Sequence, residues 1–180
     1  MLRSDETAPA VAVDGVDDRV DDRDWLAVRS VALDVAAAER WVRRPSSGAV
    51  VTFVGTVRDR SHGRIGVREL VYEAYERYAL DEFARVVAEA RRRWPSVDRV
   101  VVHHRTGSVL LGEDAVVVAV SSPHRDEAFP ATAFVIDTVK ATAPIWKLER
   151  WDGGESWSSD CHCVDGPSRA AALGAGGTRR

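Results

Sequence analysis

The chain has 180 residues, a hydrophobic content of 45% and a formal net charge of -3. That length suits one domain with a real core, and the weak negative charge excludes a general nucleic-acid binder with a large basic field. No apolar run approaches the roughly 18 residues that span a bilayer, no apolar stretch follows Arg3 as in a secretory signal, and Cys161 and Cys163 alone cannot frame a disulfide-held fold, so a reducing cytoplasm is the expected setting.

Residues 1–23 are acidic, with Asp14, Asp17, Asp18, Asp21 and Asp22 and few large apolar groups. They read as a disordered tail. Trp25 to Leu33 suits a first strand, and Asp34 an N-cap for a short helix through Trp41. Gly48 to Val57 is a β-branched strand, followed by a polar loop from Arg58 to Gly66. Val67 to Tyr75 predicts a strand with Leu70, Tyr72 and Ala74 on one face. Over 79–94, Leu80, Phe83, Val86, Val87, Ala90 and Trp94 form a helical stripe that Pro95 ends.

Arg99 to Arg105 and Ala115 to Ser121 read as strands joined by a turn-bearing connection over 106–114. A second long helix is expected over 125–142, with Phe129, Thr132, Val135, Ile136 and Val139 facing the core and Pro130 tolerated in its first turn. Ile145 to Trp151 makes a last strand, with Trp157 after it. The folded part is then 24–160, and 161–180 reads as a flexible Gly, Ala and Arg-rich tail. Helices interrupt runs of strands without regular alternation, which predicts an α+β fold with a mostly antiparallel sheet and two main helices.

The basic residues are nearly all arginine; the only lysines are Lys140 and Lys147. Arginine stays protonated in proteins, whereas lysine can lose its proton and act as base or nucleophile. Two lysines kept amid so many arginines therefore mark places where charge alone does not suffice. Lys140 stands near a helix end, where a snorkelling surface lysine is also common. Lys147 lies just past the turn at Pro144, so both amines can share one mouth. His124 and Arg125 open the same helix and form a ready anion site with its exposed N–H groups. Arg58 closes a strand and opens the basic loop. Of His103 and His104, one must face inward as a core histidine. Cys161-His162-Cys163 is too tightly spaced for the usual metal pair, and no nucleotide cradle appears, so neither metal nor cofactor is expected.

In order, GAVVTFVGTVR (48–58), EARRRWP (89–95), VVHHRTGSVLLGEDAVVVAVSSPHR (101–125) and DTVKATAPIWKLE (137–149) resemble the large, catalytic subunit family of molybdopterin synthase. The resemblance spans about 45–157 and makes 24–160 a domain of that kind. It implies an α/β-hammerhead-type fold and a dimer of large subunits. Each would take up the Gly-Gly tail of a small ubiquitin-like sulfur-carrier subunit, giving a heterotetramer. It further implies sulfur transfer from the tail's thiocarboxylate to cyclic pyranopterin monophosphate, forming the dithiolene in molybdenum cofactor biosynthesis. Lys140 and Lys147 would be catalytic. Arg58, His124 and Arg125 would bind the substrate phosphate and pterin, and the backbone around Thr56-Val57 and Leu148-Glu149 would flank the pocket. Ser156 stands where the family often carries arginine before the tryptophan matched by Trp157, leaving Arg60, Arg64 or Arg150 to replace it. Two alternatives stay open: a non-catalytic module that docks a Gly-Gly tail, and an enzyme of the same fold acting on another phosphorylated heterocycle.

Overall fold

The computed structural model describes residues 18–61 and 64–158, the side chain of Arg64 excepted. The expected acidic tail up to Asp17, His62-Gly63 and the Cys161-His162-Cys163 segment with the rest of the C-terminal tail lie outside the described residues.

A five-stranded sheet carries the fold. Its spatial order is β1 (Arg19–Val20), β2 (Asp24–Arg29), β7 (Val100–Arg105), β9 (Asp114–Ser122) and β3 (Ala49–Thr56). Only β2 and β7 pair in parallel; the other neighbours are antiparallel. Period-two alternation sorts the central strands into two faces. Leu26, Val28, Val100, Val102, Val116, Val118 and Val120 turn one way, onto α2 (Glu76–Arg93) and α3 (Arg125–Thr142). Trp25, Val101, Val117 and Ala119 turn the other way, onto α1 (Val35–Val42). Sheet faces covered on both sides explain why these strands read as unbroken valine runs. Phe83 of α2 is fully buried in the larger core, a placement that stabilises by roughly 1.5–3 kcal/mol.

A second sheet has the order β11 (Gly154–Trp157), β10 (Ile145–Trp151), β6 (Val67–Ala74) and β8 (Gly107–Leu110), all antiparallel. Val57, Val67, Leu70, Val109 and Ala115 form a smaller core beside it. The result is the expected α+β fold. No helix among the described residues is long and apolar enough to cross a membrane.

Several sequence expectations need correction. The first strand stops at Arg29, where pairing with β7 ends at Arg29↔Arg105. The 58–66 segment holds a small hairpin, β4 (Arg60–Ser61) and β5 (Arg64–Ile65), and 106–114 contains β8. The α2 helix begins at Glu76, three residues before the expected start at 79, with that acid in its first turn, where the helix dipole favours it. Pro130 is the sixth residue of α3, in its second turn, where it cannot donate to the Asp126 carbonyl. Phe129 is 61% exposed rather than in the core. It shares the helical phase of Ile136 but lies two turns nearer the N-terminus, and no described element covers it there. Residues 18–23, placed by composition in the tail, are tied to the fold: Arg29 pairs with Asp18, and the Trp25 indole N–H donates to Asp18 at 3.2 Å. Asp34 does cap α1, accepting from the Ala37 N–H at 2.8 Å.

Candidate active site

The α3 helix ends at Thr142, and the chain turns through Ala143 and Pro144 directly into β10. The Tyr75 N–H donates to the Pro144 carbonyl at 3.1 Å, fixing that turn against the end of β6. One consequence is that Lys140, on the last turn of α3, and Lys147, third on β10, line one cavity of about 220 Å3. Its other walls come from Gly55 and Thr56 at the bulged end of β3, Tyr72 of β6, His104 of β7 and Val116 of β9. Tyr72 stands directly opposite Lys147 in the β6–β10 register. Ser158 closes the list of polar walls, and its N–H donates to the Lys147 carbonyl at 2.8 Å. Gly55 cannot be larger: a Cβ there would lie 2.6 Å from Val116 Cγ1.

The two lysines differ in what holds them. Lys147 Nζ lies 3.0 Å from Glu149 Oε1, on the same face of β10, and the Glu149 side chain is buried. Ser61 Oγ donates to the same oxygen at 2.5 Å, so the β4–β5 hairpin is joined to the lysine through one carboxylate. Lys140 has instead the Phe53 ring, 5.5 Å from Nζ to the centroid, and no carboxylate within ion-pair distance among the described residues. Burial and the nearby Glu149 charge push the Tyr72 phenol up to about 12, so it stays a hydroxyl. Burial lowers His104 to about 4, against the opposing pull of the Arg105 carbonyl, with the Lys140 charge lowering it further. Among the described residues no carboxylate lines the cavity; the fixed charges they bring to it are cationic, which suits an anionic occupant.

Of the residues singled out in the sequence, Thr56, Lys140 and Lys147 line this cavity. Val57 is buried just behind Thr56, its N–H donating to the Glu113 carbonyl at 3.0 Å. Leu148 and Glu149 continue β10 beside Lys147. Arg58 is exposed, two residues beyond Thr56, and is not among the lining residues. His124 and Arg125 are not brought together with the lysines. They stand at the opposite end of α3, about 22 Å away at the rise of an α-helix, in a separate cleft with Gly48, Ala49, Pro123 and Asp126. Arg150, one candidate to replace the basic residue missing at Ser156, is engaged by Glu69 and Glu155, and Arg60 by Asp59.

Both histidines of the pair are buried, on opposite faces of β7. His103 packs edge-on to Trp25, ring centroids 4.5 Å apart, and His104 edge-on to Tyr72 at 5.0 Å. The expectation of one inward histidine missed His104 as a cavity wall. Strand alternation alone could have found it, because two adjacent residues of a doubly covered strand must face two different layers. Tyr72 and Ser158 carry no comparable signal, since Tyr72 depends on the unseen pairing of β6 with β10 and Ser158 on that of β11 with β10.

The buried carboxylate beneath Lys147 has a measurable consequence. Lys147→Ala leaves Glu149 in place with one cation fewer. This should cost about 1–3 kcal/mol, discounted from a fully buried pair because Lys147 is a quarter exposed. Adding Glu149→Gln should recover part of the loss. Urea unfolding of the two variants checks this, and a double variant less stable than the single one would contradict the pairing.

Residues 28–142 match the family model described as MoaE protein. A catalytic subunit of molybdopterin synthase from Nostoc is 47% identical over 119 residues, covering 66% of this chain and 72% of that protein. The corresponding subunit of Taeniopygia guttata is 40% identical over 141 residues, covering 78% of this chain and 90% of the relative. Among solved structures, molybdopterin synthase from Staphylococcus aureus superposes with a TM-score of 0.69 at 32% identity, over 73% of this chain and 95% of that one. The MoaE protein of Burkholderia ambifaria gives 0.65 at 34% identity, over 83% and 97%. Two lysines at one mouth, on a fold and a sequence shared with these proteins, place the chain in the family of molybdopterin synthase catalytic subunits.

Proposed function

We propose that this chain transfers sulfur from the thiocarboxylated Gly-Gly terminus of a small ubiquitin-like carrier to cyclic pyranopterin monophosphate, building the molybdopterin dithiolene in the cytoplasm. The observation that carries the reading is the convergence of the chain's only two lysines on one cavity, with no carboxylate in its walls among the described residues. A thiocarboxylate brings negative charge to that cavity, and fixed cations stabilise the charge as the carbon–sulfur bond breaks. Lys147, anchored by Glu149, is the group that holds charge. Lys140, beside an aromatic ring, is the amine free to exchange a proton or attack.

The 22 Å or so between the lysines and His124-Arg125 bears on assembly. If those two residues take the substrate phosphate, they reach this cavity only from a second copy of the chain. The reading therefore includes a dimer of this subunit with one carrier on each copy, a heterotetramer. Arg58, exposed beside Thr56, is placed at the rim in the same reading.

The test is direct. The full chain is mixed with thiocarboxylated carrier and cyclic pyranopterin monophosphate, and dithiolene is measured. Product forming in proportion to the chain supports the reading. Carrier binding without product would make the chain a docking module instead.

A further inference from the structure

His104, a wall of the cavity, has an unspent hydrogen-bonding atom. Register pairs it with Val116, on the sheet face turned toward α3, and only 8% of the residue is exposed. Its Nδ1 lies 2.8 Å from the Arg105 carbonyl oxygen. A carbonyl only accepts, so Nδ1 carries the proton and Nε2, at the far end of the ring, carries a lone pair. No described residue donates to that lone pair. The other polar walls are of a different kind: Lys140 and Lys147 only donate, while the hydroxyls of Thr56, Tyr72 and Ser158 can do either. Among the described lining side chains, His104 is thus the one that can only accept at its free atom. Burial and the Lys140 charge keep it neutral, with a value near 4, so the acceptor persists throughout the neutral range.

An occupant that expels water from this cavity must give Nε2 a donor or leave it buried and unmet. A simple anion satisfies the lysines and strands His104. A peptide C-terminus does both, because an amide N–H stands one α-carbon from its terminal anionic group. The geometry points to His104 as a specificity-determining residue that accepts a hydrogen bond from the last amide N–H of the carrier's tail, a role that rests on the docking proposed above.

The experiment removes the donor and the acceptor separately. Semisynthetic carrier is prepared ending in Gly-Gly, or with the last residue replaced by N-methylglycine, which keeps the charge and loses the N–H. Binding of each to the full chain is measured by calorimetry for the wild type, H104F and H104Q. In the wild type, N-methylation should weaken binding about tenfold, the size of one buried hydrogen bond. In H104F the two carriers should differ by less than about twofold, because the acceptor is gone. H104Q, whose amide oxygen can stand near the place of Nε2, should restore most of the difference. Should H104F fail to fold, H104N serves, since its amide can keep the bond to the Arg105 carbonyl while offering nothing at Nε2. Equal N-methyl penalties in wild type and H104F, or H104N, overturn the role of His104; this is also the outcome if the Lys140 amine, rather than the tail, meets Nε2. A wild type that makes dithiolene yet shows equal penalties leaves the sulfur-transfer reading intact. A wild type that binds neither carrier overturns both.

Discussion

Lys140→Arg should bind the carrier nearly as well as the wild type and turn over about a hundredfold more slowly, or worse, the usual scale for losing an amine that handles a proton or attacks a carbonyl. The substitution keeps a positive charge on the last turn of α3, where the helix dipole favours it. It also keeps a partner for the Phe53 ring. What it removes is a group able to exist without its proton, because the guanidinium does not deprotonate in proteins. Binding is read by calorimetry and turnover by dithiolene formation under single-turnover conditions. Turnover within a few-fold of wild type would mean that Lys140 contributes charge alone, and the argument from the chain's two lysines would fail with it. Lys147→Arg should be milder in comparison, since the ion pair to Glu149 can survive in part. A ranking in which Lys147→Arg is the more damaged variant would reverse the roles assigned to the two amines.

The lysines were visible in the sequence because composition made them rare, and the turn at Pro144 made their proximity a local matter of seven residues. The helices and central strands were visible for a related reason: α2 and β9 bury continuous or periodic apolar sets, and such patterns depend on one segment at a time. What the sequence hid are features set by pairing between distant segments. Tyr72 becomes a cavity wall only because β6 lies antiparallel to β10 with Tyr72 opposite Lys147. Glu149 looked like a pocket-flanking residue; its role as a buried partner of Lys147 and Ser61 depends on the hairpin at 60–65 folding back over β10. His124 and Arg125 stand at the start of the helix that carries Lys140 near its end, and only the family resemblance grouped them with the lysines in one site. Fifteen residues of helix separate them from Lys140, about 22 Å at 1.5 Å per residue, so within one copy of the chain the two groups belong to different clefts.

The strongest effect of pH should fall on stability, between pH 6.5 and 5. Burial holds His103 down to about 3, aided by the nearby Arg29 charge and opposed by Asp18, and holds His104 down to about 4. Both are therefore neutral in the folded chain through this window, while the unfolded chain takes up protons on them from about 6.5 downward. More protons on the unfolded state means that stability falls as pH falls. The contribution is fully present above 6.5 and is lost as pH drops toward 4 and then 3. Between pH 6.5 and 5 the pair should cost about 3 kcal/mol, enough to remove a large share of a typical domain's stability. Carboxylates held low by arginine or hydrogen bonds, such as Glu89 at about 2 beside Arg92 and Arg93, lose their contributions only below their ordinary value of 4.5, so this window isolates the histidines. Urea midpoints at pH 7, 6 and 5 measure the effect. His103→Phe keeps an aromatic edge against Trp25 and removes a buried Nε2 that has no partner among the described residues. That variant should be at least as stable as the wild type at pH 7 and should show about half the loss on acidification. A wild type whose stability is flat from pH 6.5 to 5, or a His103→Phe chain with an undiminished slope, would mean that the buried imidazoles are not what ties this fold to pH.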